Sequence, residues 1–121
     1  MANLTGKSII GFQPGGEGDP AVFGINPATG ESLQPGYAAV SETELNRAVE
    51  LAADAFEVFA KTSGTAKAAF LRKIADNIEA IGDDLAKRAP LETGLPEGRI
   101  RMETGRTCGQ LRLFASVAEE G

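Results

Sequence analysis

The apolar period of the chain changes once, at Ser41, and that change decides most of what the chain can fold into. Upstream, the apolar runs are short and β-branched or aromatic, SIIGF at residues 8–12 and AVFGI at residues 21–25, with turn residues between them. Downstream, apolar residues recur three and four apart, the spacing of one helix face. Strand-like segments are thus confined to the first forty residues. A parallel sheet needs strands separated by crossover helices, and no such β-α-β alternation is present. The pattern predicts a β-hairpin followed by three α-helices.

The hairpin is expected over residues 1–40. The loop QPGGEGDP separates the two apolar runs, and NPATGE follows the second. Pro27 fixes φ for a turn there, and Gly30 can take the positive φ that closes it. ESLQPG reads as a returning strand that stops at Pro35. A hairpin this short is marginal alone and needs a surface to lie against.

Helices are expected over residues 41–60, 63–89 and 96–119. Ser41 and Glu44 match the capping box, in which each side chain satisfies a free backbone N–H of the first turn. Leu45, Val49, Ala52, Phe56 and Phe59 then form one apolar face. Ser63 can cap the second helix, with Ala66, Phe70, Ile74, Ile78, Ile81 and Leu85 facing inward. Lys87 and Arg88 suit its negative C-terminal end, and Pro90 ends or kinks it. After the turn ETGLP, the third helix carries Ile100, Thr104, Thr107 or Cys108, Leu111, Phe114 or Ala115, and Ala118 on one face. Gly105 and Gly109 weaken that helix by about 1 kcal/mol each relative to alanine, which signals close approach or a tolerated weakness.

Composition removes several function classes. With 12 basic against 17 acidic residues the net charge is −5, which argues against nonspecific binding to nucleic acid or an anionic membrane. No apolar run approaches the roughly 18 residues needed to cross a bilayer. MANLTGKSIIGF, with one lysine and a short apolar patch, does not read as a secretory signal. One cysteine cannot form an internal disulfide, which fits a reducing, cytoplasmic setting. There is no histidine, so Ser-His-Asp and Cys-His pairs are absent and transition-metal sites of the usual kinds are out of reach.

The remaining candidates are few. QPGGEG lacks the lysine ending of a P-loop and no helix follows it, so it reads as a loop rather than a phosphate cradle. Cys108 has no histidine base, and Arg106, two residues away on a helix, points elsewhere; it reads as a packing residue. Glu92 and Glu103 are not placed face to face by any spacing here. Arg99, Arg101, Arg106 and Arg112 are the one cationic concentration. Glu103 lies four residues from Arg99 and three from Arg106, within reach of surface pairing. Arg106 lies between the two glycines, where a guanidinium could grip a carboxylate in a two-pronged pair or serve an exposed or interface role.

Taken in order, NPATGE, AADAF, RKIADNIEAIGDDLAKRA, LETGLPEGRI and GRTCGQLRLFA resemble the amino-terminal region of the NAD(P)-dependent aldehyde dehydrogenases, from about Asn3 to Gly121. The tail GRT-x-GQLRLFA is similar to the branch that oxidises 2,5-dioxovalerate (α-ketoglutaric semialdehyde) to 2-oxoglutarate. The resemblance implies an α/β parent with a Rossmann-type cofactor domain, a catalytic domain and an oligomerisation arm, of which these residues are a partial amino-terminal region. It implies a cysteine nucleophile, a water-activating glutamate and an oxyanion-binding asparagine, all downstream of this segment. Hence no catalytic, cofactor-binding or metal-ligating residue is assigned here, and Gly109-Gln110 beside Cys108 is a decoy.

The same resemblance makes NAD or NADP the cofactor of the intact parent, not of this segment. It makes the remainder of the polypeptide the partner, within a homo-oligomer. The third helix lines the substrate channel in that family, which makes Arg106, with Gln110, a candidate contact to the distal carboxylate of an acidic aldehyde. Family members are several times longer, so the segment alone is expected to be inactive. Phe59-Ala60 stands where members usually carry a tryptophan, Lys67 where arginine is common, and Pro90 where a helix former is usual. The competing expectation is a small non-enzymatic helical interaction module.

Overall fold

The computed structural model describes residues 4–16, 18 and 20–121, with Pro20 described by its backbone alone. These residues fall into two compact units, one ending at Lys61 and one running from Thr62 to Gly121.

The first unit opens with strands β1 (Ile9–Ile10) and β2 (Gln13–Pro14), antiparallel with Ile10 opposite Gln13. Gly11 and Phe12 form the turn between them, with φ of 58° and 66°. Two positive φ values in a two-residue loop match the right-handed twist of flanking strands. Glycine adopts them freely, whereas phenylalanine does so with strain. Strands β3 (Pro20–Ile25) and β4 (Ser32–Ala38) form a second antiparallel sheet. Its turn is closed by Gly30, at φ 74°, whose N–H donates to the Asn26 carbonyl at 2.7 Å.

Helix α1 (Glu42–Phe59) completes this unit. Ser41 Oγ accepts from the Glu44 N–H at 3.2 Å, while Glu44 Oε2 accepts from the Ser41 N–H at 2.8 Å, the full capping box. Glu44 Oε1 also accepts from the Gly16 N–H at 2.6 Å, tying the segment after β2 to the first turn of α1. Ser41→Ala is expected to cost about 1 kcal/mol. Faster amide exchange at Glu44 checks it; unchanged exchange would mean that the hydroxyl contributes nothing. The stripe Leu45, Val49, Ala52, Phe56 and Phe59 is present on α1 and lies exposed.

The second unit is α2 (Gly64–Ala80), α3 (Gly82–Thr93) and α4 (Glu97–Glu120). Ser63 caps α2 by accepting from the Ala66 N–H at 3.2 Å. Its fully buried residues are Ala68 and Ala75 on α2, Ala86 on α3, and Cys108 and Ala115 on α4. Both α2 and α4 thus carry buried small residues seven apart, two helical turns, so their backbones approach closely along one line. At the start of α2 the approach is close: a Cβ on Gly64 would overlap the Ala118 carbonyl oxygen.

Two features correct the expected architecture. Among the described residues there are two β-hairpins, not one, because Gly11-Phe12 turns the chain so that Ile9–Ile10 pair with Gln13–Pro14, the first residues of QPGGEG. Among the described residues there are four helices, not three, because the segment expected as one helix breaks at Ile81, whose φ of −102° and ψ of 11° leave the α region. The apolar spacing runs through this break, and periodicity alone could not reveal it; Gly82, a weak helix former, is the local signal. Pro90 lies inside α3, which ends at Gly94 with a left-handed φ of 71°. Likewise β4 passes Pro35: between the pairs Val22–Tyr37 and Gly24–Leu33 the ladder is bulged, where a missing N–H costs little.

The inward face of α2 also differs from its expected phase. Phe70 is 53% exposed and Ile81 46%, while Ala68 and Ala75 are sealed. Close packing of two backbones selects small residues, and the bulkiest stripe lies about one residue to the side.

Candidate functional site

Helix α4 has two distinct sides. One carries Ile100, Thr104, Cys108, Leu111, Ala115 and Ala118, all partly or fully buried. The Cys108 thiol is sealed and lies 3.6 Å from the Ala75 carbonyl oxygen, a packing position that solvent does not reach. The other side carries Arg106 and Gln110, one turn apart and exposed, with open space over Gly105 and Gly109.

Along the edge of the buried side runs a series of ion pairs, and those that cross between helices were not disclosed by the spacing of residues. Arg72 of α2 makes a two-pronged pair with Glu119, both contacts at 2.6 Å. Arg112 reaches Glu79 at 2.7 and 2.8 Å and Asp76 at 2.9 Å. Arg101 reaches Asp83 of α3 at 2.9 Å and Glu97 of its own helix at 2.7 Å. Arg99 pairs with Glu103 at 2.7 Å, so the i,i+4 option is taken and Glu103 is not shared with Arg106. Arg88 pairs with Glu92. Among the described residues, Arg106 is the one arginine of the second unit without a carboxylate partner. Arg72, Asp76 and Glu79 share one side of α2 at spacings of four and three, a charged edge that does not by itself name its partners on α4.

These pairs set a pH dependence. Hydrogen bonds from Arg112 and from Arg72 hold the Glu79 and Glu119 carboxyls below the usual 4.5. A carboxyl whose folded value is depressed adds stability that is fully present above its unfolded value and is lost as pH falls through the folded one. Helicity by circular dichroism is therefore expected to hold between pH 6 and 8 and to decline progressively below about 4.5. An acid-insensitive spectrum down to pH 2 would refute this role.

In the first unit, a cleft of about 530 Å³ is lined by Ile10, Gln13, Pro14, Ser41, Glu44 and Arg47, among others. Its carboxylate is already engaged: hydrogen bonds from the Gly16 and Ser41 backbone hold Glu44 below its ordinary range. Among the described residues no three His, Cys, Asp or Glu side chains are grouped to hold a metal ion. No helix among them is long and apolar enough to cross a membrane.

Residues 16–121 match the profile of the aldehyde dehydrogenase family. The chain belongs to that family. It is 43% identical over 119 residues to alpha-ketoglutaric semialdehyde dehydrogenase 2 of Azospirillum brasilense, covering 98% of this chain and 23% of that protein. It is 35% identical over 121 residues to alpha-ketoglutaric semialdehyde dehydrogenase of Acinetobacter baylyi, covering 100% of this chain and 23% of that protein. A probable NADP(+) succinate-semialdehyde dehydrogenase of Synechocystis is 33% identical over 100 residues, 83% of this chain and 22% of that protein. The chain spans about a quarter of the length of these relatives.

Membership of the aldehyde dehydrogenase family implies a nicotinamide dinucleotide, and the described residues do not fit one. A dinucleotide seat needs a parallel strand, a glycine-rich turn and a helix whose N-terminus faces pyrophosphate. Both sheets here are antiparallel pairs, and the Gly15–Gly16 segment leads into strand β3 rather than a helix.

Proposed function

We propose that this chain is the amino-terminal part of an NAD(P)-dependent aldehyde dehydrogenase acting on a semialdehyde with a distal carboxylate, 2,5-dioxovalerate being the leading substrate. The overall reaction takes aldehyde and water to carboxylic acid, with hydride leaving to NAD(P)+. The groups that perform it belong to the remainder of the polypeptide, which we take to assemble as a cytoplasmic homo-oligomer. This segment contributes a wall of the substrate channel.

The observation that carries the substrate class is Arg106. Every other arginine of the second unit is committed to a carboxylate, while Arg106 lies exposed beside open glycine positions with Gln110 one turn on. A guanidinium left unneutralised is suited to a two-pronged pair with a substrate carboxylate, and an amide adds one more donor. The matches to two alpha-ketoglutaric semialdehyde dehydrogenases across nearly the whole chain support the same class.

The test is NAD(P)H formation followed at its near-ultraviolet absorbance. The full-length enzyme is expected to favour 2,5-dioxovalerate over a neutral aldehyde of similar length by at least about tenfold in kcat/KM. The isolated chain of 121 residues is expected to give no turnover. Equal rates with both aldehydes would remove the carboxylate reading, and turnover by the isolated chain would remove the assignment of chemistry to the rest of the polypeptide.

A further inference from the structure

We infer that the ion pairs along α4 form a rail that fixes the rotation of this helix, with Arg112 as its central positioning residue, and thereby aims Arg106 and Gln110. The inference rests on the carboxylate-contact reading above and adds to it how the contact is held.

The rail is ordered. Positions 101, 112 and 119 are eleven and seven residues apart, three turns and two turns, so they lie in one line along α4. Their partners rise along α2 and into α3 as Arg72, Asp76, Glu79 and Asp83 while the α4 positions fall from 119 to 101. The central rung is the densest, one guanidinium reaching two carboxylates through three contacts.

Packing beneath the rail leaves it this task. The sealed residues between α2 and α4 are Ala68, Ala75, Cys108 and Ala115, which permit close approach but offer few large knobs to resist rotation. Rotating α4 by about 20° would swing a group about 6 Å from its axis by about 2 Å. Any group at that radius takes the same displacement, Arg106 among them, on the side of α4 away from Cys108. A shift of about 1 Å already weakens a two-pronged contact severely. Directional, charge-assisted pairs add resistance to rotation at the edge of a seam whose sealed residues are small, with half-buried Ile74, Ile78 and Leu111 as its larger side chains.

The experiment uses the full-length enzyme with Arg112→Gln, Arg112→Lys and Arg106→Ala, each assayed for 2,5-dioxovalerate and for a neutral aldehyde. Arg112→Gln is expected to raise KM for the anionic substrate by about threefold to tenfold, with kcat and the neutral substrate unchanged. Arg112→Lys, which keeps the charge without the fork, is expected to recover part of that loss and guards against a misfolded glutamine variant. An unchanged anionic-to-neutral ratio in Arg112→Gln, or an equal loss for both substrates in both Arg112 variants, overturns the inference. If Arg106→Ala shifts the ratio and Arg112→Gln does not, the rail alone is wrong. If Arg106→Ala leaves the ratio unchanged, the carboxylate reading fails and the rail falls with it.

Discussion

Gly64→Val is expected to destabilise the second unit by about 2–4 kcal/mol. Gly64 is the first residue of α2, and its missing side chain is where the Ala118 carbonyl of α4 passes. An added Cβ meets backbone rather than the end of a flexible side chain, so α2 and α4 must part for it to fit. Parting them also strains the neighbouring Arg72–Glu119 pair and opens the seam at Ala68 and Ala115. For a unit of this size the loss corresponds to a fall in Tm of at least about 10 °C. Thermal and urea denaturation check it, with Gly64→Ala expected to fall between wild type and Gly64→Val. A loss below about 0.5 kcal/mol would mean that the two helices yield freely at this end.

Arg106→Ala is expected to lower kcat/KM for 2,5-dioxovalerate by about tenfold to a hundredfold in the full-length enzyme, since hydrogen bonds to a charged partner contribute about 1.5–3 kcal/mol. The loss should fall on the anionic substrate alone, because a neutral aldehyde offers this guanidinium nothing to hold. Arg106→Lys should fall between the two, keeping the charge but losing the planar fork. Stability should be unaffected, since Arg106 has no ion-pair partner among the described residues; melting curves of the same variants separate the two effects. A loss under about threefold would exclude Arg106 as the carboxylate contact.

The ion-paired arginines and Arg106 differ in how legible they were. Arg106 stood out from its place between Gly105 and Gly109, and the structure adds that, among the described residues, it is the arginine of the second unit left without a carboxylate. The cross-helix partners of Arg101 and Arg112 were not legible, whereas Glu97, four residues before Arg101, lay within local reach. Residues such as Glu79 and Arg112 are far apart in the chain and meet only because α2 and α4 run antiparallel, so no local spacing encodes them. The Arg99–Glu103 pair, four apart on one helix, was within reach for the opposite reason.

A similar line divides the fold. Elements whose signals are short-range could be read directly: the Ser41–Glu44 box, the Ser63 cap and the Gly30 turn each close through atoms within a few residues. The first hairpin was missed because Phe12 occupies a left-handed position that bulky residues rarely take, so the turn did not resemble one. The split at Ile81 was missed because an apolar stripe constrains which side faces inward and is silent about where hydrogen bonding stops.

By itself, then, the sequence determined the change from strand to helix at Ser41 and the caps that open α1 and α2, because backbone propensity and capping act over one or two turns. Only the tertiary structure decided that alanines and Cys108, rather than the larger Phe70, form the sealed seam between α2 and α4. It also decided which arginines are spent on that seam's edge. Both outcomes depend on how closely two helix axes approach, a distance set by the whole interface and carried by no single stretch of residues.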